Sequence, residues 1–200
     1  MSLRPSFLFL SVCTAISSMV LCPSNGRVQG QLEPSTRHVE LGLGLHFMPI
    51  GWFDLEDGAH RSEFRAYPAL GFAPFIDYRL QRYVSLGLAP EITLNVIPNR
   101  SDYHVGEMLV GNVRLQVRYP NRSILEPYAV LTGGYSVIWR SEADAASGPV
   151  AGGALGLRTK VAGAHAIFAE LSYQKGFQAL NGGAYGPSYL IIGAGWLVGI

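Results

Sequence analysis

Charge is scarce in this sequence. Asp, Glu, Lys and Arg make up 14% of it, against roughly a quarter in an ordinary soluble domain. Lysine is nearly missing, with Lys160 and Lys175 alone. A net charge of +1 leaves no electrostatic footprint for a nucleic acid, so no nucleic-acid partner is expected. The only cysteines are Cys13 and Cys22, so no disulfide can staple the chain beyond residue 22. There is no P-loop, no zinc-type Cys/His spacing and no heptad pattern. The longest apolar run, "FLFLSVCTAISSMVL" (7–21), is too short and too rich in Ser and Thr for a transmembrane helix. What the chain does have is glycine, at 24 residues, and alternation.

The N-terminus reads as an export signal. Arg4 supplies the positive start, 7–21 the apolar centre, and "VQG" (28–30) short residues for cleavage. Residues 1–30 are therefore expected to be removed, leaving 31–37 as a short periplasmic segment before a domain over 38–200. "MVLC" (19–22) offers a lipoprotein reading at Cys22, and an uncleaved anchor is a further alternative. Cleavage leaves 13 basic and 14 acidic side chains.

Eight segments alternate with a period of two, the signature of strands with one apolar face. The first is Val39–Phe47. The others are 64–80, 84–96, 109–119, 128–139, 150–160, 165–175 and 189–200. In 84–96, Val84, Leu86, Leu88, Ile92, Leu94 and Val96 oppose Ser85, Gly87, Ala89, Glu91, Thr93 and Asn95. The connections alternate too. Long ones are expected over 48–63, 98–108, 140–149 and 176–188, and short ones over 81–83, 120–127 and 161–164. That spacing predicts an up-and-down meander with all long loops at one end.

The other face decides which way the apolar face points. In water an outer face should be rich in Lys, Glu, Thr and Gln. Here it carries Gly42, Gly44, Gly71, Ala73, Gly87, Ala89, Gly152, Ala154 and Gly156. Among them stand charges of both signs: Glu40, Asp77, Glu91 and Glu170 with Arg65, Arg79, Arg114, Arg118, Arg158 and Lys160. Small residues suit the crowded lumen of an eight-stranded barrel, and buried charges must pair. If the small, charged face is inside, the apolar face meets lipid. The expected fold class is all-β: an eight-stranded antiparallel up-and-down transmembrane β-barrel. Aromatics cluster at both ends of the apolar face. Tyr78, Tyr119 and Trp196 lie near the short turns, and Phe47, Phe64, Trp139 and Tyr173 near the long loops. Two such girdles are expected at the two membrane interfaces.

Over 38–200 the chain resembles the small outer-membrane barrels of Gram-negative bacteria: the OmpA transmembrane domain, OmpX and the opacity-type surface antigens. The resemblance rests on eight strands, loop asymmetry and the last strand, which ends in Ile200 with Val198 two before and Gly195 five before. It implies an ending read by the outer-membrane insertion machinery, although Ile200 replaces the family's terminal aromatic. It also implies periplasmic termini, extracellular long loops, a monomer, and contact with the bilayer and lipopolysaccharide. No peptidoglycan-binding segment follows the barrel, so wall tethering is not expected.

No enzyme, cofactor or metal site is expected. Of His38, His46, His60, His104 and His165, His60 alone has a Ser two residues later, Ser62, the spacing of a lipid A deacylase's pair. One match of two residues does not make an enzyme the expectation. A palmitoyltransferase-like site would need Ser101, Asp102, His60 and His104 to meet. The first loop holds Asp54, Glu56, Asp57 and His60, either a cation site or a solvated acidic loop. Trp52 and Phe53 beside it would touch headgroups or cap the barrel mouth. The lumen charges are the chief candidates: Glu40, Asp77, Arg79, Glu91, Arg114, Arg118, Arg158, Lys160 and Glu170. Glu91 is expected across from Arg114, and Arg158 or Lys160 near Glu170. They make either a structural plug or a gate. The reading is a non-catalytic barrel with a structural, surface-antigen or adhesion-like role. The alternative is a narrow channel or an OmpW-like carrier of small hydrophobic molecules, which inward Val110, Val130, Ile138 and Phe168 would allow.

Overall fold

The computed structural model describes residues 38–57, 60–96, 106–119, 121, 123–140, 143–180 and 183–200. The expected signal segment lies outside them, as do Ser101, Asp102 and His104. The strands are β1 (Val39–Asp57), β2 (His60–Arg65), β3 (Ala69–Arg79), β4 (Val84–Leu94), β5 (Gly106–Arg118), β6 (Leu125–Arg140), β7 (Ala143–Ala162), β8 (His165–Gly176), β9 (Gln178–Leu180) and β10 (Gly183–Gly199). Every pairing is antiparallel. β2 and β3 are two halves of one wall strand, both paired to β1. β8 and β9 likewise share β10. Ten strands thus make eight staves. β10 returns to β1 with Glu40 opposite Gly199 and Asp57 opposite Gly183. The sheet is a closed barrel, which leaves the eight staves no unpaired edge along the ladder where they meet.

The loop expectation is corrected. Residues 48–57, 60–63, 143–149, 178–180 and 183–188 are strand rather than long loop. β1 and β2 pair out to Asp57 opposite His60, and β6 and β7 out to Arg140 opposite Ala143. The period of two is disturbed there without the ladder ending. Between Phe47 and Ile50 the register against β10 slips by a bulge. One extra residue flips the faces beyond it, so Gly51 and Phe53 are buried while Trp52 and Asp54 are half-buried. The break at Ala66–Pro68 makes the matching flip on β2. Parity alone loses the strand at both points.

The two faces differ in kind. Leu45, Leu70, Leu88, Val113, Leu155, Leu171 and Ile192 stand on the outside, exposed by 49–64%. Glu40, Asp77, Glu91, Arg114 and Arg118 are buried on the inside. An apolar surface of this extent would associate or aggregate in water, and it is the natural surface for a bilayer. Glycines inside make room for rings: the Phe75 ring occupies the place of a side chain at Gly42, and Tyr128 that at Gly156.

One seam in the wall is interrupted. The β3–β4 ladder runs through Phe72 opposite Ile92 and resumes at Ile76 opposite Leu88. That register sets Pro74 against Pro90, and neither has an N–H to donate across the seam.

Candidate functional site

The lumen is filled in layers. At the end that holds the chain's C-terminus, Glu40 on β1 accepts from three arginines on three other strands. The distances are 2.8 Å to Arg79, 3.0 Å to Arg118 and 3.2 Å to Arg158. Arg158 also pairs with Glu126 at 2.8 Å, and Arg118 donates to the Ser85 hydroxyl at 2.5 Å. Three guanidinium groups around one carboxylate repel one another, so this knot holds only because Glu40 and Glu126 are both in it.

The next layer is aromatic. Phe75 and Phe168 meet edge to face at 5.7 Å, and Arg114 lies over the Phe75 ring at 4.2 Å. Arg114 approaches Asp77 at 3.1 Å and Glu170 at 3.7 Å, while the Tyr128 hydroxyl donates to Glu170 at 2.9 Å. Gly87 is bare because Asp77 and its backbone fill the place of a side chain there.

Above it lies a cavity of about 50 Å³, whose polar lining includes His46, Glu91, Asn112, Arg114, Glu170 and Gln174. His46 on β1 reaches Glu91 on β4 at 3.4 Å. The pair passes over β3 at Gly71, where a side chain would press on both. The Thr93 hydroxyl donates to Glu91 at 3.1 Å. Beyond the cavity the lumen is closed by an apolar layer including Met48, Phe53, Met108, Ile138 and Tyr189. Phe53 and Tyr189 meet edge to face at 6.1 Å.

Eight of the nine expected lumen charges are buried or half-buried inside. Lys160 is exposed instead. The expected pairings are replaced. Glu91 stands opposite Val110 rather than Arg114, because the β4–β5 hairpin is centred two residues earlier than expected. Glu170 takes Arg114 and Tyr128 rather than Arg158. Glu126 escapes the sequence reading because 120–127 has the composition of a turn, and Tyr128, the first residue of the expected strand 128–139, is not among the inward residues that reading singles out. Their parity with inward Val130 is the signal that could have found them. Val110, Val130, Ile138 and Phe168 are buried inside, as packing rather than a continuous channel.

Of the expected girdle, Phe47, Tyr78, Tyr119, Trp139 and Trp196 are exposed on the outer face, and Tyr173 is half-buried. Phe64 is corrected: it turns inward and packs on the apolar layer, because the break at Ala66–Pro68 reverses its parity. The same reversal leaves Arg65 exposed. The first-loop acids do not gather into a cation site among the described residues. Asp54 pairs on the outside with Lys175 at 2.7 Å and Arg61 at 3.7 Å, and His60 is exposed on β2. Those outward charges mark where the apolar belt ends. Gly195, Val198 and Ile200 close the seam, with the Ile200 amide donating to the Val39 carbonyl at 2.8 Å.

No family model and no curated protein matches this chain. Among solved structures it is similar to Neisserial surface protein A, at 11% identity and a TM-score of 0.54, over 80% of this chain and 97% of that one. It is also similar to the outer membrane protein OprG from Pseudomonas aeruginosa, at 12% identity and a TM-score of 0.52, over 82% and 96%. At such identities the likeness is one of fold: this chain has the fold of the small eight-stranded outer-membrane barrels.

Proposed function

We propose, for a chain with that fold, an integral outer-membrane protein that is monomeric and non-catalytic, with a structural or surface-antigen role. The termini lie in the periplasm and the hairpins outside. The apolar belt touches the bilayer and lipopolysaccharide, and Gly195, Val198 and Ile200 present the ending that the insertion machinery reads. The observation that carries the role is the state of the lumen. An apolar layer packs at one end and the Glu40 knot at the other, so among the described residues side chains fill the lumen on both sides of the cavity.

The second reading is a narrow gated channel or small-molecule carrier, favoured by the polar cavity midway along the lumen. In it, breaking the His46–Glu91 pair opens a water path. Planar-bilayer recording of the wild type and Glu91→Gln separates the two. No conductance steps are expected from either form. Steps that appear or grow in Glu91→Gln establish the gate and overturn the closed plug. Recovery of the protein in a membrane fraction other than the outer membrane would overturn the location.

A further inference from the structure

We propose that the lumen cavity is a binding site for one small monovalent cation, trapped as the barrel closes. Two independent features point there. The first is charge. Arg114 is shared between Asp77 and Glu170, so Glu91 is left with His46 and the Thr93 hydroxyl. Two carboxylates, Glu91 and Glu170, line the cavity with one guanidinium and one imidazole, while Asp77 below it takes up Arg114 at 3.1 Å. Negative charge is in excess when the imidazole is neutral. The arginines of the Glu40 knot do not line the cavity. A buried uncompensated carboxylate is costly.

The second feature is unmet acceptors. Asn112 and Gln174 line the same cavity and are each 6% exposed. The Asn112 Oδ1 and Gln174 Oε1 atoms have no hydrogen-bond donor. Buried acceptors are normally satisfied. Water would satisfy them and leave the charge; a cation answers both. Among the described residues no group of three His, Cys, Asp or Glu is placed to hold a metal. This favours a monovalent ion held by amide and carboxylate oxygens over a divalent one. The cavity has room for an ion with one or two waters. The plug and the knot make exchange slow, so loading accompanies folding.

Rubidium is the probe. The full chain is refolded into detergent in rubidium chloride or, at equal ionic strength, choline chloride, and crystals of the rubidium form are measured at the rubidium edge. An anomalous peak is expected in the cavity, bonded to Asn112, Gln174 and Glu91. Unfolding midpoints are expected to be higher in rubidium. At a free concentration about ten times Kd, the folded-to-unfolded ratio rises about tenfold. Glu91→Gln and Asn112→Leu should each abolish the rubidium dependence, and either one that refolds makes the comparison. A cavity holding only water, or midpoints equal in the two salts, overturns the proposal.

Discussion

Single residues in this barrel act through what they leave uncompensated. Glu40 is the clearest case, because three arginines from three strands meet its carboxylate. Glu40→Gln keeps the shape and removes the charge, leaving Arg118 buried without its carboxylate. Breaking a buried pair in this way costs about 3–5 kcal/mol. Urea titration of the refolded barrel in lipid vesicles should read that loss, and a loss under about 1 kcal/mol would mean that water already screens the knot. That Glu40 points inward was legible from its neighbours, since Val39, Leu41 and Leu43 alternate around it. Its partners were not. Arg79, Arg118 and Arg158 reach it only through the register of three ladders and the closing of the barrel, and parity carries no register.

At the scale of strands, alternation foretold all eight staves but not their length. The bulge at Phe47–Ile50 and the break at Ala66–Pro68 reverse parity without ending the ladder, so β1 and β2 continue where a loop was expected. The placing of Phe64 failed for the same reason, while Phe47, on the near side of the bulge, lies on the lipid face. The Pro74–Pro90 seam is a second element-level effect. Without either N–H, the middle of the β3–β4 ladder should open more readily than its flanks. Amide exchange at Ile76 and Leu88 should be faster than at Val113, which lies in an unbroken ladder. Replacing both prolines by Ala restores two donors and should slow exchange at Ile76 and Leu88 several-fold. Exchange is the right readout, because the added hydrogen bonds, about 1 kcal/mol each, are partly offset by the freer unfolded chain. Rates unchanged in the double variant would show that the seam is held by something other than its ladder.

For the molecule as a whole, the inside-out distribution is what a single sequence conveyed best. The composition of the small face decided it: Gly42, Gly44, Gly71 and Gly87 fit only a tight lumen, whereas an outer face in water would have been charged. A test at this scale places one charge on each side of the belt's edge. Leu88→Arg, amid an all-apolar outer face of β4, should cost about 2–4 kcal/mol of folding free energy in vesicles. Glu63→Arg on β2, beyond the belt, should leave it nearly unchanged. Equal effects would mean that the apolar face does not sit in lipid.

The hairpin extensions have a consequence for the surface-antigen role proposed above. A 19-residue β1 is about 65 Å long at the usual rise per residue. Tilted about 40° it rises about 50 Å, roughly twice the apolar band of such a barrel. In the orientation proposed above, with the hairpins outside, much of that excess stands above the membrane as a paired wall rather than as free loops. Neighbouring side chains on that wall come from different strands: Trp52 sits beside Arg65, and Asp54 beside Glu63. An antibody that binds there reads a conformational epitope assembled by the ladder, one that no linear peptide from this chain reproduces.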